Sequence, residues 1–75
     1  MNWNKEATHI IKAAKSRKGV EWKDISEMLK SRLGVELSAQ TLANRVNNGA
    51  FSFALALQIL SVLDVKKVDI PEAED

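Results

Sequence analysis

A short polar segment near the middle of the chain carries the side chains best suited to hydrogen-bond a ligand. These residues are Gln40, Thr41, Asn44, Arg45 and Asn48. On the outer face of a short helix, Gln and Asn amides can pair with adenine edges, and Arg can bind guanine or phosphate in a DNA major groove. A solvated polar helix would use many of the same residues. The segment therefore predicts a DNA-reading helix, with a merely solvent-facing helix as the alternative.

Basic residues are concentrated in the first part of the chain, although the net charge is only +1. The first 45 residues hold nine bases and five acids. Lys12, Lys15, Arg17 and Lys18 lie together at the end of the first predicted helix. Such a cluster attracts phosphate, whereas the helix macrodipole also favours basic residues at that position. We expect Arg17, Lys18 and Lys23 to add nonspecific attraction to DNA.

The composition argues against catalysis and against a bound cofactor. The chain has no cysteine and a single histidine, His9, which we interpret as an ordinary surface residue. No nucleophile–base pair, paired acid site or metal cluster is visible, so we expect no enzyme, metal or cofactor. The N-terminus is polar and the apolar run Phe51–Leu63 is too short to span a bilayer. We therefore expect a cytoplasmic protein with no membrane partner.

The elements that would position the polar segment are all predicted to be helical. Helices are expected at about Asn4–Lys18, Glu21–Leu33, Ala39–Asn47 and Phe53–Leu63, with one more turn at Asp64–Ile70. Caps are expected at Asn2 or Asn4, at Ser38 and at Ser52, and stops at Gly19, Gly34 and Asn47-Asn48-Gly49. The predicted fold is a compact all-α bundle of four to five helices with a helix-turn-helix variant. It forms one domain over residues 1–70, and 71–75 form an acidic solvated tail.

The apolar residues of these helices predict the core. The stripes comprise Trp3, Ala7, Ile10, Ile11 and Ala14, then Ile25, Met28, Leu29 and Leu33, then Leu42 and Val46, and finally Val65, Val68 and Ile70. Trp22 is interpreted as a core anchor, or alternatively as a large ring at the rim of a binding face.

The fourth predicted helix is apolar on nearly all sides. Only Gln58 and Ser61 interrupt its hydrophobic residues. A helix of this kind is either wrapped by other helices or buries one face in a partner. We expect core contacts on one side and a self-association patch on the other, so a homodimer could form through this helix or the C-terminal segment.

The order of these elements resembles the compact DNA-binding domain of phage repressors and related bacterial regulators. The resemblance covers roughly Trp22–Ile70 and is carried by Asn48-Gly49, by Gly49-x-x-Ser52 and by the closing phrase Leu57–Ile70. A closer resemblance links the chain to a group of small bacterial domains of unknown function. The matching phrase is Thr41-Leu42-Ala43-Asn44-Arg45-Val46-x-x-Gly49-x-Phe51-Ser52-x-Ala54-Leu55.

Three features depart from the repressor pattern. The second helix is about one turn longer, and the loop Gly34–Leu37 is about two residues longer than the usual tight turn. Trp22 occupies the position where many relatives place a phosphate-contacting glutamine. Phosphate contacts would then fall to Lys23, Asn47, Asn48 or backbone groups near helix termini.

These observations leave two classes of function. The first is a transcriptional regulator that binds double-stranded DNA, with the helix at about 39–47 as its recognition helix and two copies reading two half-sites. The second is a protein-interaction or oligomerisation module that retains a helix-turn-helix shape, because fold does not fix function.

Overall fold

The computed structural model describes residues 2–73, and over that range every regular element is an α-helix. The four helices are α1 (Trp3–Lys18), α2 (Trp22–Leu33), α3 (Ala39–Asn47) and α4 (Phe53–Val62). The four main helices expected from the sequence are confirmed, each to within one residue at either end. Of the predicted acidic tail, Glu74 and Asp75 lie outside the described residues, and 71–73 are not helical.

Side-chain caps explain where three of the helices begin. The Asn2 side chain accepts a hydrogen bond from the backbone N–H of Lys5, at 3.1 Å. Ser38 and Ser52 accept in the same way from the third residue of α3 and of α4, at 3.1 and 3.0 Å. Each cap satisfies an N–H group that the first helical turn leaves without a backbone partner.

The helices pack in a ring, in which α2 contacts α3 and α4, while α1 closes the ring by contacting the same two helices. The core at the centre consists of Ile11, Ala14, Ile25, Leu29, Leu42, Val46, Leu55, Ile59, Val62 and Leu63. Every helix contributes a stripe at three- and four-residue spacing, which is the pattern of a one-sided helix. The helix α3 therefore lies between α1 and α2, with one face buried and the other in solvent.

The expected fifth helical turn at Asp64–Ile70 is not formed. Asp64 adopts a left-handed conformation with φ of 61°, and the Val65 N–H then bonds back to the Leu60 carbonyl, which ends α4. Pro71 disfavours a helical conformation at the preceding Ile70. Val65 packs against the core, but Val68 and Ile70 are exposed, so the prediction that they close the core is wrong.

Two further apolar residues differ in burial from the expected stripes. Trp3, the first residue of α1, and Leu33, the last residue of α2, are 48% and 43% exposed. Trp22 is half-buried and packs against the core, and Lys15 lies 5.4 Å from the centre of its ring. The tryptophan thus serves as a core anchor while its ring stays partly open at the surface.

None of the helices described by the structure combines the length and the hydropathy that a membrane crossing requires.

Candidate nucleic-acid interface

The outer face of α3 is polar and carries no carboxylate. Leu42 and Val46 are fully buried, which fixes the rotation of the helix about its axis. Gln40, Asn44 and Arg45 consequently lie in solvent. Two amides and one guanidinium on the same short face offer donors and acceptors in the combinations that recognise base edges.

Thr41 is held differently from its three polar neighbours. It is half-buried, and its hydroxyl oxygen accepts a hydrogen bond of 2.9 Å from the Ser38 hydroxyl. The Thr41 N–H donates to the same Ser38 oxygen. Thr41 therefore belongs to the cap of α3, and its hydroxyl proton remains as the group that can reach a ligand.

Two buried or half-buried hydroxyl groups fix α3 to its neighbours. The Ser26 hydroxyl of α2 donates to the Leu37 carbonyl just before α3, at 2.6 Å. The Thr8 hydroxyl of α1 donates to the Val46 carbonyl in the last turn of α3, also at 2.6 Å. Both ends of α3 are thus tied to a different helix, which gives its polar face a defined orientation.

The turn that ends α3 approaches α1 very closely. Gly49 has φ of 65°, in the left-handed region that favours glycine. A β-carbon at this position would lie 2.8 Å from the Asn4 β-carbon. Two separate constraints therefore require glycine at position 49, namely the left-handed backbone conformation and the close contact with α1.

An open groove of about 880 Å³ runs between this turn and α1. Lys5, His9 and Lys12 line it from α1, and Asn47 and Asn48 line it from the end of α3. None of the residues that line the groove is acidic. With Asn2 and Asn4 also in its lining, the groove presents two ammonium groups, an imidazole and four side-chain amides, a set suited to hydrogen-bonding an anion.

Two of the three basic residues in the last turn of α1, Lys15 and Lys18, have structural partners. Lys18 forms an ion pair and hydrogen bond with Asp64 at the end of α4. That hydrogen bond, together with the Lys18 charge, holds the pKa of the Asp64 carboxyl below its usual range. Lys15 lies 4.0 Å from a Glu21 carboxylate oxygen as well as over the Trp22 ring. Arg17 is exposed beside them.

Lys23 lies in an acidic setting at the start of α2. Glu21 and Asp24 form a capping box there, in which the Asp24 carboxylate accepts the Glu21 N–H at 2.9 Å. Both carboxylates flank Lys23, which is exposed. Since both carboxylates would repel an anion, this helix end offers little to a phosphate beyond one lysine.

The candidate residues thus fall into separate groups. Gln40, Asn44 and Arg45 share the α3 face, and Asn48 joins the groove. Arg17 and Lys18 lie at the far end of α1 from Lys5, and Lys23 lies at the start of α2.

Lys5 and His9 are absent from the residues expected to contact DNA, and Lys12 is expected only as part of the basic cluster that attracts phosphate. Their signal in the sequence is the spacing of four and three residues, which places them on one face of α1. Among residues 2–73 no group of three or more acidic or histidine side chains is placed to hold a metal ion.

Together these features define an all-α domain of four helices with an acid-free polar helix beside a basic groove. The chain belongs to a family described as a domain of unknown function, DUF6471, whose model matches residues 3–68. This agrees with the resemblance of the Thr41–Leu55 phrase to small domains of unknown function. No curated protein and no solved structure gives a significant match to the chain.

Proposed function

We propose that this domain binds double-stranded DNA as a transcriptional regulator, with α3 as the recognition helix. The observation that carries the proposal is the exposed face of α3, where Gln40, Asn44 and Arg45 lie without a competing carboxylate. Acidic side chains on that face would repel the phosphate backbone before any base could be read.

The pair α2 and α3 would act as a helix-turn-helix variant in this proposal. The two helices pack against each other across a five-residue linker, residues 34–38. The Ser26 bond to the Leu37 carbonyl braces that linker at its second half. A braced linker allows a turn longer than the usual tight one to hold a recognition helix in a fixed direction.

Selection of bound duplexes from a randomised pool, followed by titration at two salt concentrations, tests this proposal. We expect binding that weakens steeply from about 50 to about 200 mM salt, because cations on the protein displace counterions from phosphate. We also expect a preferred sequence to emerge from the selection. Absence of binding at low salt would contradict DNA binding, and binding without any preference would contradict base reading by α3.

Two substitutions on α3 locate the reading residues. Asn44→Ala and Gln40→Ala should each lower the discrimination at one or two base pairs by about 1–3 kcal/mol. Gln58→Ala, which removes the same amide from α4, is the matched control and should leave the preference unchanged. Equal effects of all three substitutions would argue against α3 as the reading element.

A second candidate function is suggested by the outer face of α4. Phe53 is 79% exposed and Leu57, one turn later, is 51% exposed. Large apolar side chains at this spacing are typical of a surface that binds another protein, and a second copy of the chain would also provide the second half-site reader. Light scattering over a concentration range should detect a dimer that Leu57→Glu dissociates, and a monomer at every concentration would contradict this candidate.

A further inference from the structure

We propose that the groove between α1 and the turn after α3 binds the phosphate backbone of duplex DNA, an inference that rests on the proposed DNA-binding function. It goes beyond that function because it assigns backbone contacts to a surface away from the recognition helix. The contacting groups are Lys5, His9 and Lys12 on one wall, and Asn47 and Asn48 on the other.

The spacing of the three basic side chains suits a strand of phosphates. With a rise of about 1.5 Å per residue, Lys5 and His9 are separated by roughly 6 Å along α1, and Lys5 and Lys12 by roughly 10 Å. All three are exposed and share one face of the helix. A row of donors with this length follows a linear polyanion better than a single compact anion.

The lysines of the groove are not used to hold the fold together. Within residues 2–73 the ion pairs are Lys15 with Glu21 and Lys18 with Asp64, so Lys5 and Lys12 take part in neither. Since no acidic residue lines the groove, the positive charges of Lys5 and Lys12 are available to an anion that enters the groove from solvent. Unneutralised cations along a groove concentrate an anionic ligand there.

The opposite wall of the groove is rigid and continuous with the recognition helix. The Thr8 hydroxyl bonds the Val46 carbonyl, and Gly49 lies against Asn4, so the turn cannot move away from α1 without breaking both contacts. Asn47 follows Gln40 and Asn44 on the same stripe of α3, at four- and three-residue spacing. A strand whose bases meet Gln40 and Asn44 would thus continue along the groove.

The shape of the groove favours a polymer over a small molecule. Sites for small ligands bury most of the ligand surface in a concave, mainly apolar pocket. This groove is open, and its lining side chains are mostly polar and exposed. Backbone contacts of this kind position a protein on the duplex without reading its sequence.

Amide chemical-shift mapping with short duplexes separates this inference from the proposed function. We expect shifts both in the Gln40 and Asn44 side-chain amides and in the Asn47 and Asn48 side-chain amides of the groove. Shifts on α3 alone would overturn the groove inference and leave the proposed function intact. Shifts in the groove alone would support the groove and contradict base reading by α3, and no shifts would overturn both.

A charge-matched pair of double substitutions provides the quantitative test. Lys5→Gln with Lys12→Gln should reduce DNA affinity about tenfold or more at low salt, and should reduce the salt slope by about 2, since each phosphate contact contributes about 0.9. The preferred base sequence should stay the same. Lys66→Gln with Lys67→Gln removes the same charge from the exposed C-terminal segment and should leave the slope nearly unchanged. Equal slopes for the two doubles would overturn the inference.

Discussion

The two ends of α1 carry the same kind of residue and use it in opposite ways. Toward the C-terminus, Lys15 and Lys18 pair with Glu21 and Asp64 and thereby join α1 to the start of α2 and the end of α4. Lys5 and Lys12, which precede them on the helix, face an open groove with no acidic lining. The number of lysines is the same, so what distinguishes the two ends is the distribution of carboxylates around them.

This difference shows why a local count of charges is a poor guide to a binding surface. Two of the four basic residues in the densest cluster of the sequence, Lys15 and Lys18, pair with carboxylates once the chain folds, whereas Lys12 faces the groove. Within residues 2–73, the groove lysines Lys5 and Lys12 form no ion pair that would compensate their charge. A phosphate would therefore meet uncompensated lysines along the groove, at Lys5 and Lys12, of which only Lys12 belongs to the cluster.

The largest effect on stability is expected from a substitution at Gly49, where the turn after α3 approaches α1. Gly49→Ala should lower the free energy of unfolding by about 2–4 kcal/mol, because it combines a left-handed alanine with a β-carbon 2.8 Å from that of Asn4. Urea denaturation measures the loss. Gly34→Ala is the matched control, since Gly34 has a similar φ but open space around it, and it should cost about 1–2 kcal/mol. Equal losses would mean that the approach of the turn to α1 carries no strain.

A second test breaks the buried link between α1 and α3. Thr8→Val preserves the shape of the side chain but removes the hydroxyl donor to the Val46 carbonyl, which keeps the Gly49 N–H as a partner, so the loss of stability should be about 0.5–1.5 kcal/mol. Thr8→Ser retains the donor and should cost less. Thermal unfolding of the two variants compares them, and a valine variant as stable as the wild type would show that this bond does not fix α3.

A third test compares single lysines from the two ends of α1. Lys15→Ala should lower the free energy of unfolding by about 1 kcal/mol, because the side chain covers the Trp22 ring and approaches Glu21. Lys12→Ala should change it by less than about 0.5 kcal/mol, as expected for an exposed residue without such contacts. Similar losses at both positions would contradict the contrast between the two ends.

The smallest effect concerns the pH dependence of the ion pair at the C-terminal end. The pKa of Asp64 is lowered in the folded protein, so its contribution to stability is present at neutral pH and is lost as the pH falls through that pKa. Asp64→Asn, which also tolerates a left-handed backbone, should lower Tm slightly at pH 7 and not at pH 2. A Tm difference that persists in acid, or that high salt leaves unchanged, would assign the effect to something other than the ion pair.

Much of the fold could be predicted from local signals. Ser38 and Ser52 at the helix starts and Gly34 at a helix end act through contacts within a few residues, so the sequence pattern contains them. The buried pair Leu42 with Val46 follows from helical spacing alone, whereas the burial of Leu55 and Ile59 could not be read from a helix that is apolar on nearly all sides. The C-terminal segment was mispredicted because its apolar residues suggested a helix, whereas the left-handed Asp64 and Pro71 prevent one.

The binding surface was harder to predict because its parts are distant in sequence. Lys18 pairs with Asp64, which lies 46 residues further along the chain. A pattern of neighbouring residues therefore cannot show that the Lys18 charge is compensated. Lys5 and Asn48 line the same groove although they are distant in sequence, and the Thr8 hydrogen bond to Val46, 38 residues away, joins the two helices that carry them. The residues of α3 were recognisable because the helix itself presents them together, and their role in reading DNA stays a proposal.

The most direct test compares two double substitutions, one in the groove and one at the C-terminal end of α1, for their effects on DNA affinity and on Tm. One variant combines Lys5→Gln with Lys12→Gln, and the other combines Lys15→Gln with Lys18→Gln, so both lose the same charge from the same helix. We predict that the first loses DNA affinity about tenfold with an unchanged Tm, whereas the second loses stability and changes affinity by no more than about threefold. Equal losses of affinity in the two variants, or an unchanged affinity in the first, would contradict the assignment of the basic groove to DNA.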